Sequence, residues 1–345
     1  MDKSLRNSIV IGGFIASALL TIFVPKDEEK ASEAPSDSAE VAAWVEEILR
    51  RENAGELNQS ESSTKSVAVS APTDDDPYEE LNSLIGLESV KEEVSSLANF
   101  VRIQKQRENQ GLKTASMSYH CVFTGNPGTG KTTVARILAK IYRDLGIVKR
   151  GHLVETDRSG LIAEYVGQTA VKTNAVIDSA LGGILFIDEA YALLDGNGGY
   201  GSEAIATLLK RMEDNRDNLV VIVAGYTREM KDFIDSNPGL QSRFTRYINF
   251  PDYSADELFD IFMTRVNKYS YKLDADAERY LRDNLKQTVA TKSKNFGNGR
   301  YVRNLFEKTI SNQANRLGRR TGLSTQELSQ LTLQDVASAC QTVIK

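Results

Sequence analysis

The segment YHCVFTGNPGTGKTTVARILAKIYRDL, residues 119–145, contains the pattern that decides the fold. An apolar run ends at Thr124, the next eight residues match G-x-x-x-x-G-K-[ST], and a helical pattern follows at once. Glycines let backbone N–H groups turn around phosphate oxygens, and a helix N-terminus adds a favourable dipole. The pattern therefore predicts a nucleotide phosphate site formed by Asn126, Pro127, Gly128, Thr129, Gly130, Lys131, Thr132 and Thr133.

Four side chains near this loop are predicted to act on a magnesium-bound nucleotide. Lys131 is placed to reach the β- and γ-phosphates, and the Thr132 hydroxyl to bind Mg²⁺. Downstream, the segment GILFIDEAYAL puts Asp188 and Glu189 directly after a second apolar run. Because carboxyl ends of parallel strands meet at one edge of a sheet, Asp188 is predicted to hold the metal, directly or through water. Glu189 is predicted to polarise the attacking water as general base.

Strand and helix patterns alternate around these motifs. Short apolar runs at 119–125, 152–157, 183–188 and 219–225 are predicted strands, and helical patterns start between them, near Thr132, Leu161 and Glu203. Such alternation predicts a parallel sheet covered by helices on both faces. After Pro251 only helical patterns follow. We therefore predict an α/β domain at 81–252 and a small α-helical domain at 253–345.

Composition excludes several classes of protein. The chain has 345 residues, of which 41% are hydrophobic and 26% charged, as expected for a globular protein and not for a multi-span membrane protein. Two cysteines, Cys121 and Cys340, cannot form a disulfide scaffold and favour a reducing compartment. Two histidines without a cysteine cluster predict no zinc or haem site. Residues 81–345 carry a net charge of only +5, so no nucleic-acid partner is expected.

The first 25 residues are predicted to be a membrane anchor. Residues 8–24 are uncharged and mostly apolar, and as a helix they would reach roughly 26 Å, near the lower limit for a membrane span. A cleaved signal peptide and a buried helix are the alternatives. A nucleotide-binding body would face the cytoplasm and be attached to the inner membrane by this segment, which puts the N-terminus outside although Lys3 and Arg6 resist crossing. An in-plane or hairpin insertion, a partner-bound helix, or the absence of a membrane segment would each remove this conflict.

Residues 26–80 are predicted to form an acidic disordered linker. They contain 16 acidic and five basic side chains, a net charge of -11. Within them, residues 39–51 have an apolar stripe at helical spacing that includes Trp44. This short amphipathic helix either packs on the folded body or is a docking peptide for a partner.

Taken together, these motifs resemble an AAA+ ATPase, and within that family the group that contains the red-type Rubisco activase and the stage V sporulation protein K. The resemblance covers about two thirds of the chain. It is carried by LIGLESVKEEV (84–94), GNPGTGKTT (125–133), LIAEYVGQTAVKT (161–173), GILFIDEAYAL (183–193), AGYTREM (224–230), NPGLQSRF (237–244), INFPDY (248–253) and FGNGRYVRNLFE (296–307).

The resemblance implies a homo-oligomeric, usually hexameric, ring with a nucleotide between neighbouring subunits and a helical lid domain. In that assembly Arg243 would be the arginine finger that reaches the next subunit's γ-phosphate, with Arg246 as competing candidate. Arg300 matches the sensor-2 arginine of the lid, and Arg303, one helical turn away, would share its role. At the sensor-1 position the segment AGYT offers Tyr226 and Thr227, of which Thr227 aligns better by spacing and would orient the water. Two further residues, Ile85 and Gly86, resemble the segment that packs against adenine.

The resemblance also implies a way of gripping protein substrates. Tyr165, Val166 and Gly167 resemble an aromatic pore loop that faces the axis of the ring, and the glycine-rich run 195–203 would form a second pore ring. The predicted function is ATP-driven remodelling or extraction of protein partners. The alternatives are an ATP-dependent assembly switch or scaffold that recruits partners without threading them, and a Rubisco-activase-like chaperone.

Overall fold

The computed structural model describes residues 67–70, 76–114, 118–163, 165, 167–194 and 199–343. The main sheet contains β1 (Val67–Ser70), β2 (Cys121–Gly125), β3 (Leu153–Thr156), β4 (Ile184–Ile187), β5 (Val220–Gly225) and β6 (Arg246–Phe250). Its helices are α1 (Pro77–Ser83), α2 (Glu88–Asn109), α3 (Lys131–Asp144), α4 (Arg158–Leu161), α5 (Thr169–Ala180), α6 (Tyr200–Asp214), α7 (Thr227–Asp235) and α8 (Pro238–Arg243), with a 3₁₀ helix at Ala190–Leu194. The C-terminal part contains α9 (Ala255–Lys268), α10 (Ala275–Ala290), α11 (Asn298–Leu317), α12 (Thr325–Ser329) and α13 (Leu333–Thr342), with the short strands β7 (Lys272–Leu273) and β8 (Gln330–Leu331).

The strand order of the main sheet is β1-β3-β4-β5-β2-β6. All neighbouring strands pair in parallel except β1, which runs antiparallel to β3. Cys121 in β2 lies opposite Ile222 in β5 and Arg246 in β6. The loops after β2, β4 and β5 therefore emerge at the same edge of the sheet, where the predicted phosphate and metal residues lie.

The central strands β2, β4 and β5 are buried on both faces, as their uninterrupted apolar runs predict. In β2, Phe123 packs into one hydrophobic cluster together with Ile137 of α3, and Val122 packs into another with Ile177 of α5. The first cluster continues into the C-terminal helices through residues such as Phe262. The prediction of an α/β domain with a parallel sheet followed by a helical domain is confirmed.

At its N-terminus the folded body begins earlier than the sequence predicts. Residues 26–80 were expected to be linker, but Val67–Ser70 form an edge strand and α1 starts at Pro77. The Asp76 carboxylate caps α1 by accepting from the Tyr78 N–H at 2.8 Å, and Glu80 pairs with Lys140 of α3. The sequence did not predict these two elements because a four-residue strand and a seven-residue helix are too short to show a clear hydrophobic period within an acidic segment.

The predicted membrane anchor at 8–24 and the predicted helix at 39–51 lie outside the described residues. Within the part of the chain that the structure describes, no helix combines the length and the apolar character needed to cross a bilayer. The anchor and its orientation stay predictions from the sequence.

One buried histidine makes the stability of the sheet dependent on pH. His120 is 6% exposed and its Nδ1 accepts a hydrogen bond of 2.9 Å from the Val221 N–H, so the ring must be neutral at that nitrogen. Burial lowers the pKa of His120 from 6.5 to about 4, and the nearby Arg243 acts in the same direction. The unfolded chain therefore binds a proton more readily than the folded chain between these two pH values.

We expect the free energy of unfolding of the wild type to fall as the pH drops from 7 to 4. Between pH 7 and pH 4 the free energy of unfolding should drop by about 3 kcal/mol more in the wild type than in His120→Gln. The reason is that a glutamine oxygen accepts a hydrogen bond from the same N–H but does not titrate. Urea unfolding at several pH values measures both. The other buried histidine supplies the control variant, His152→Gln. Identical pH profiles for the wild type and His120→Gln would contradict the assignment.

Candidate active site

The loop between β2 and α3 has the shape that phosphate binding requires. Gly128 and Gly130 have φ angles of +72° and +94°, in the left-handed region that favours glycine. Thr129 is fully buried and its hydroxyl donates to the Asn126 carbonyl at 2.9 Å, which closes the loop on itself. Gly130 precedes α3, and no side chain of the described residues caps this helix start. The first N–H groups of α3 are therefore available to an anion.

Lys131 lies at the first position of α3 and is partly buried. Its Nζ donates to the backbone carbonyl oxygens of Gly125 at 2.9 Å and Asn126 at 2.8 Å. Burial lowers the pKa of Lys131, whereas the nearby Asp188 acts to raise it. Because its hydrogen-bond partners are neutral carbonyls, this ammonium group is suited to pair with phosphate oxygens.

Asp188 and Glu189 follow β4 at the same edge of the sheet. The Asp188 Oδ1 accepts from the Glu189 N–H at 3.1 Å. Glu189 has a φ angle of +49°, a conformation that costs a non-glycine residue energy and is concentrated at functional sites. This backbone turn leaves the Glu189 side chain exposed at the mouth of the cleft.

A cleft of about 700 Å³ brings most of the predicted residues together. The predicted residues among its lining are Ile85, Pro127, Gly128, Gly130, Lys131, Thr132, Thr133, Asp188, Glu189, Arg300 and Arg303. Among the charged residues, Arg300 lies close enough to Lys131 to act on its pKa, in the direction that lowers it. The cleft thus gathers cationic side chains from the loop and from the C-terminal helices around two carboxylates.

Three predicted contact residues lie just outside the lining of the cleft. The Asn126 side chain turns away to donate to Asp252 at 2.9 Å, and Thr129 is enclosed by its own loop. Gly86 has a φ angle of +62° and lies against the Glu257 side chain at the start of α9. Gly86 and Thr129 therefore shape the backbone around the cleft and do not line it.

Thr227 differs from the sequence prediction. It is exposed at the start of α7 and does not line the cleft, whereas its neighbour Tyr226 does. Tyr226 has extended backbone angles, so consecutive side chains point to opposite sides and Thr227 faces solvent. The Tyr226 ring packs against Tyr191 with centroids 5.9 Å apart. Tyr226 occupies the cleft position that the sequence assigned to Thr227.

Arg243 and the predicted pore loop lie away from the cleft of their own chain. Arg243 ends α8, and its guanidinium donates to Glu213 at 3.2 Å. Arg246 packs near the Phe100 ring, 5.9 Å from its centroid. Tyr165 and Gly167 lie in the loop between α4 and α5, with Tyr165 68% exposed. Val166 and residues 195–198 of the glycine-rich run lie outside the described residues.

Several residues of the site were missed from the sequence. Tyr253 lines the cleft and its hydroxyl donates to the Thr129 carbonyl at 3.3 Å. One side of α9 also lines the cleft, at Ile261, Thr264, Arg265 and Lys268. A signal for that side exists, because these residues recur at helical spacing of three and four.

Comparisons with known proteins agree with a nucleotide site in this cleft. A family model described as "ATPase family associated with various cellular activities (AAA)" matches residues 121–252, and one for the AAA lid domain matches residues 254–345. Stage V sporulation protein K of Bacillus subtilis (strain 168) is 45% identical over 240 residues, which cover 69% of this chain and 74% of that protein. The chain belongs to the AAA family of ATPases.

Other members of the AAA family support this assignment. Protein CbbX of Cereibacter sphaeroides is 42% identical over 266 residues, covering 76% of this chain and 85% of that protein. ESX-3 secretion system protein EccA3 of Mycobacterium leprae is 43% identical, but the match covers only 42% of its length. The crystal structure of the FIGL-1 AAA domain has the same fold, with a TM-score of 0.56 at 16% identity over 92% of this chain and 93% of that one.

As an AAA ATPase, the protein binds a nucleotide and hydrolyses ATP. The helices that follow Asp252 form the AAA lid, so Arg300 and Arg303 approach the cleft from the lid while Lys131 approaches from the sheet. Positive groups on two sides of a cleft stabilise the charge of a triphosphate and of the phosphoryl group in transfer.

Proposed function

We propose that the protein assembles as a homo-oligomeric ring, a hexamer by resemblance, and uses ATP hydrolysis to remodel protein partners. The observation that carries this proposal is the exposure of Tyr165, an aromatic side chain with 68% of its surface accessible. Gly167, two residues later, has a φ angle of +78° and open space around it. A large exposed aromatic on such a loop is suited to contact an extended polypeptide through its ring.

The structure of the loop base supports coupling between Tyr165 and ATP hydrolysis. A small cavity of about 330 Å³ is lined by Ile162 and Ala163 of the loop base and by Glu189 of the active site. Arg158 donates to the Ala192 carbonyl at 2.9 Å, which ties α4 to the 3₁₀ helix that follows Glu189. Glu189 and the loop base therefore line the same cavity, so a rearrangement around Glu189 during turnover would change the surroundings of the loop base.

The fit of the cleft to Mg²⁺ supports ATP chemistry with this metal. Thr132 and Asp188 both line the cleft, and among the described residues no group of three or more His, Cys, Asp or Glu side chains is arranged to hold a metal ion. Mg²⁺ prefers one or two protein ligands together with waters and phosphate oxygens, so this small set fits it. Bound there, it would neutralise charge on the phosphates. Thr132 and Asp188 would hold it through their oxygen atoms.

The names of the relatives refer to different processes and therefore favour no particular client. One is named for sporulation, another for ESX-3 secretion and a third, from Cyanidioschyzon merolae, as a ribulose bisphosphate carboxylase/oxygenase activase at 41% identity. The part that they share with this chain contains the ATPase site and the Tyr165 loop. We therefore propose ATP-driven remodelling of a polypeptide and assign no particular client protein.

Replacing Tyr165 with alanine should separate polypeptide binding from hydrolysis. In a Glu189→Gln background with ATP, we expect Tyr165→Ala to weaken binding of fluorescein-labelled casein by at least about tenfold, as for a central aromatic contact. ATP turnover of Tyr165→Ala alone should stay within about twofold of the wild type, because Tyr165 lies outside the cleft. Fluorescence anisotropy and phosphate release measure the two.

Tyr247→Ala is the matched control, since Tyr247 is also exposed, at 54%, but lies on the edge strand β6. In the Glu189→Gln background, Tyr247→Ala should bind casein with the same affinity as Glu189→Gln alone. If Tyr165→Ala bound casein as tightly as the background, remodelling through this loop would be rejected. An assembly switch without threading would then be the better function.

A further inference from the structure

A carboxylate at the junction of the two domains joins the phosphate loop to the lid. Asp252 lies between β6 and α9, where the sheet ends and the lid begins. Its Oδ1 accepts from the side-chain amides of Asn126 at 2.9 Å and Asn298 at 2.8 Å, and its Oδ2 pairs with Lys292 Nζ at 2.7 Å. Asn126 belongs to the phosphate loop, whereas Lys292 and Asn298 belong to the lid. One carboxylate therefore receives donors from both sides.

Asn298 fixes the start of the helix that carries Arg300. It is fully buried, and its φ angle of +45° is one that asparagine tolerates better than most residues. Its Oδ1 accepts from the Tyr253 N–H at 3.0 Å, and its Nδ2 also donates to the Phe296 carbonyl at 2.9 Å. With its bond to Asp252, the Asn298 amide holds the first residue of α11 from several directions.

A backbone contact completes the connection between the lid and the phosphate loop. The Gly299 N–H donates to the Gly128 carbonyl at 3.0 Å. Gly128 has no room for a side chain, because a Cβ there would lie 2.7 Å from the Arg300 nitrogen. The start of α11 and the loop are therefore in direct contact beside the cleft, which Arg300 lines.

The other side of the network leads to Lys131. The carbonyl oxygen of Asn126 accepts from Lys131 Nζ at 2.8 Å, while the side chain of the same residue donates to Asp252. A ligand that moves Lys131 away from the Asn126 carbonyl therefore changes the hydrogen bonding of Asn126, whose side chain is bonded to Asp252. The network thus touches both of the cationic groups that approach the phosphates.

The Asp252 carboxylate is kept in its acceptor form. Burial acts to raise its pKa, but the hydrogen bonds from Lys292, Asn298 and Asn126 outweigh burial, so that its pKa is lowered. Ionised Asp252 has acceptor sites for all three donors at neutral pH.

We propose that Asp252 is a positioning residue for ATP binding, which acts through Asn298 to hold Arg300 in the cleft. Asp252 and Asn298 do not line the cleft, whereas Gly128, Gly299 and Arg300 do. Asp252 therefore acts on the nucleotide indirectly, through Asn298 and the placement of Arg300. Because Asp252 lies at the domain junction, it also ties occupancy of the phosphate loop to the placement of the lid.

A double-mutant cycle tests whether Asp252 acts through Arg300. Asp252→Asn keeps the shape of the side chain but places an amide group among three donors. We expect it to weaken binding of the fluorescent analogue mant-ATP to the full chain by about tenfold, within the range of typical coupling between sites. Arg300→Ala should weaken binding by at least as much. The double variant should bind no worse than Arg300→Ala, within about twofold, since an interaction that is already lost cannot be lost again.

The control is a carboxylate in the lid that is more deeply buried than Asp252 and has no hydrogen bond to the phosphate loop. Asp335 is 1% exposed, pairs with Arg316 at 2.8 Å and caps α13 through Thr332. Asp335→Asn should lower the melting temperature of the chain but leave mant-ATP affinity within about twofold. If Asp335→Asn weakened affinity as much as Asp252→Asn, lid destabilisation would explain the result and the proposal would be wrong.

Two further outcomes decide the matter. Effects of Asp252→Asn and Arg300→Ala that multiply in the double variant would overturn the proposal, as would unchanged affinity in Asp252→Asn. If Asp252→Asn does not fold, Lys292→Met removes only one of the three donors, from a side chain that is 27% exposed. It should weaken mant-ATP binding by about threefold and show the same lack of additivity with Arg300→Ala; additivity there would equally reject the proposal.

Discussion

Replacing Glu189 with glutamine is expected to reduce steady-state ATP hydrolysis by about 10² to 10⁴-fold, the range that a general base contributes. The amide has nearly the same size and still lies at the cleft mouth, but it cannot take a proton from water. ATP should bind within about threefold of the wild-type affinity, since Lys131, Arg300 and the loop backbone are unchanged. Phosphate release measures turnover, and mant-ATP fluorescence measures binding.

The backbone around Glu189 makes this prediction specific to one carboxylate. Its φ angle of +49°, which costs a non-glycine residue energy, places it just beyond the end of β4, next to Asp188. Glu229 provides the matched control, because it lies on α7 at the same sheet edge but does not line the cleft. Glu229→Gln should hydrolyse ATP at the wild-type rate. Normal turnover in Glu189→Gln would remove it from the catalytic residues.

Those parts of the site that follow from local sequence were predictable. The phosphate loop needs spaced glycines, here Gly125, Gly128 and Gly130, followed by a lysine and a helix start, all within residues 125–132, so the pattern alone located it. Asp188 and Glu189 were found for a similar reason, since they directly follow an apolar run that forms β4. Parallel pairing then brings both motifs to one sheet edge, whatever the exact order of the strands.

The parts that depend on contacts distant in sequence were not predictable. Asp252 and Asn298 are 46 residues apart, and no local sequence pattern around either residue indicates that they form a hydrogen bond. Val67–Ser70 form a strand only because β3 offers an edge for pairing. Thr227 was preferred over Tyr226 by spacing, but the alternation of an extended backbone decides which side chain enters the cleft.

The second large effect is expected at Arg243. Arg243→Ala should lower turnover by about 10³-fold or more if the guanidinium completes the site of a neighbouring subunit, as arginine fingers do. Nucleotide binding by the altered chain should be retained, because Arg243 does not line its own cleft and pairs instead with Glu213. The competing candidate, Arg246, packs near Phe100, and Arg246→Ala should keep most of the turnover. The reverse ranking would transfer the role to Arg246.

Mixing two inactive variants gives the sharpest form of this prediction. A subunit with Arg243→Ala has an intact cleft, and a subunit with Glu189→Gln has an intact Arg243. When the two are mixed in equal amounts and exchange, about a quarter of the interfaces should combine the intact cleft of one with the intact arginine of the other, because neighbours in a cyclic assembly meet head to tail. Hydrolysis should therefore return to roughly a quarter of the wild-type rate per subunit, and only at concentrations at which the chain assembles. A mixture as inactive as its components, under conditions where energy transfer between differently labelled variants shows mixed oligomers, would mean that Arg243 does not act on a neighbour's nucleotide.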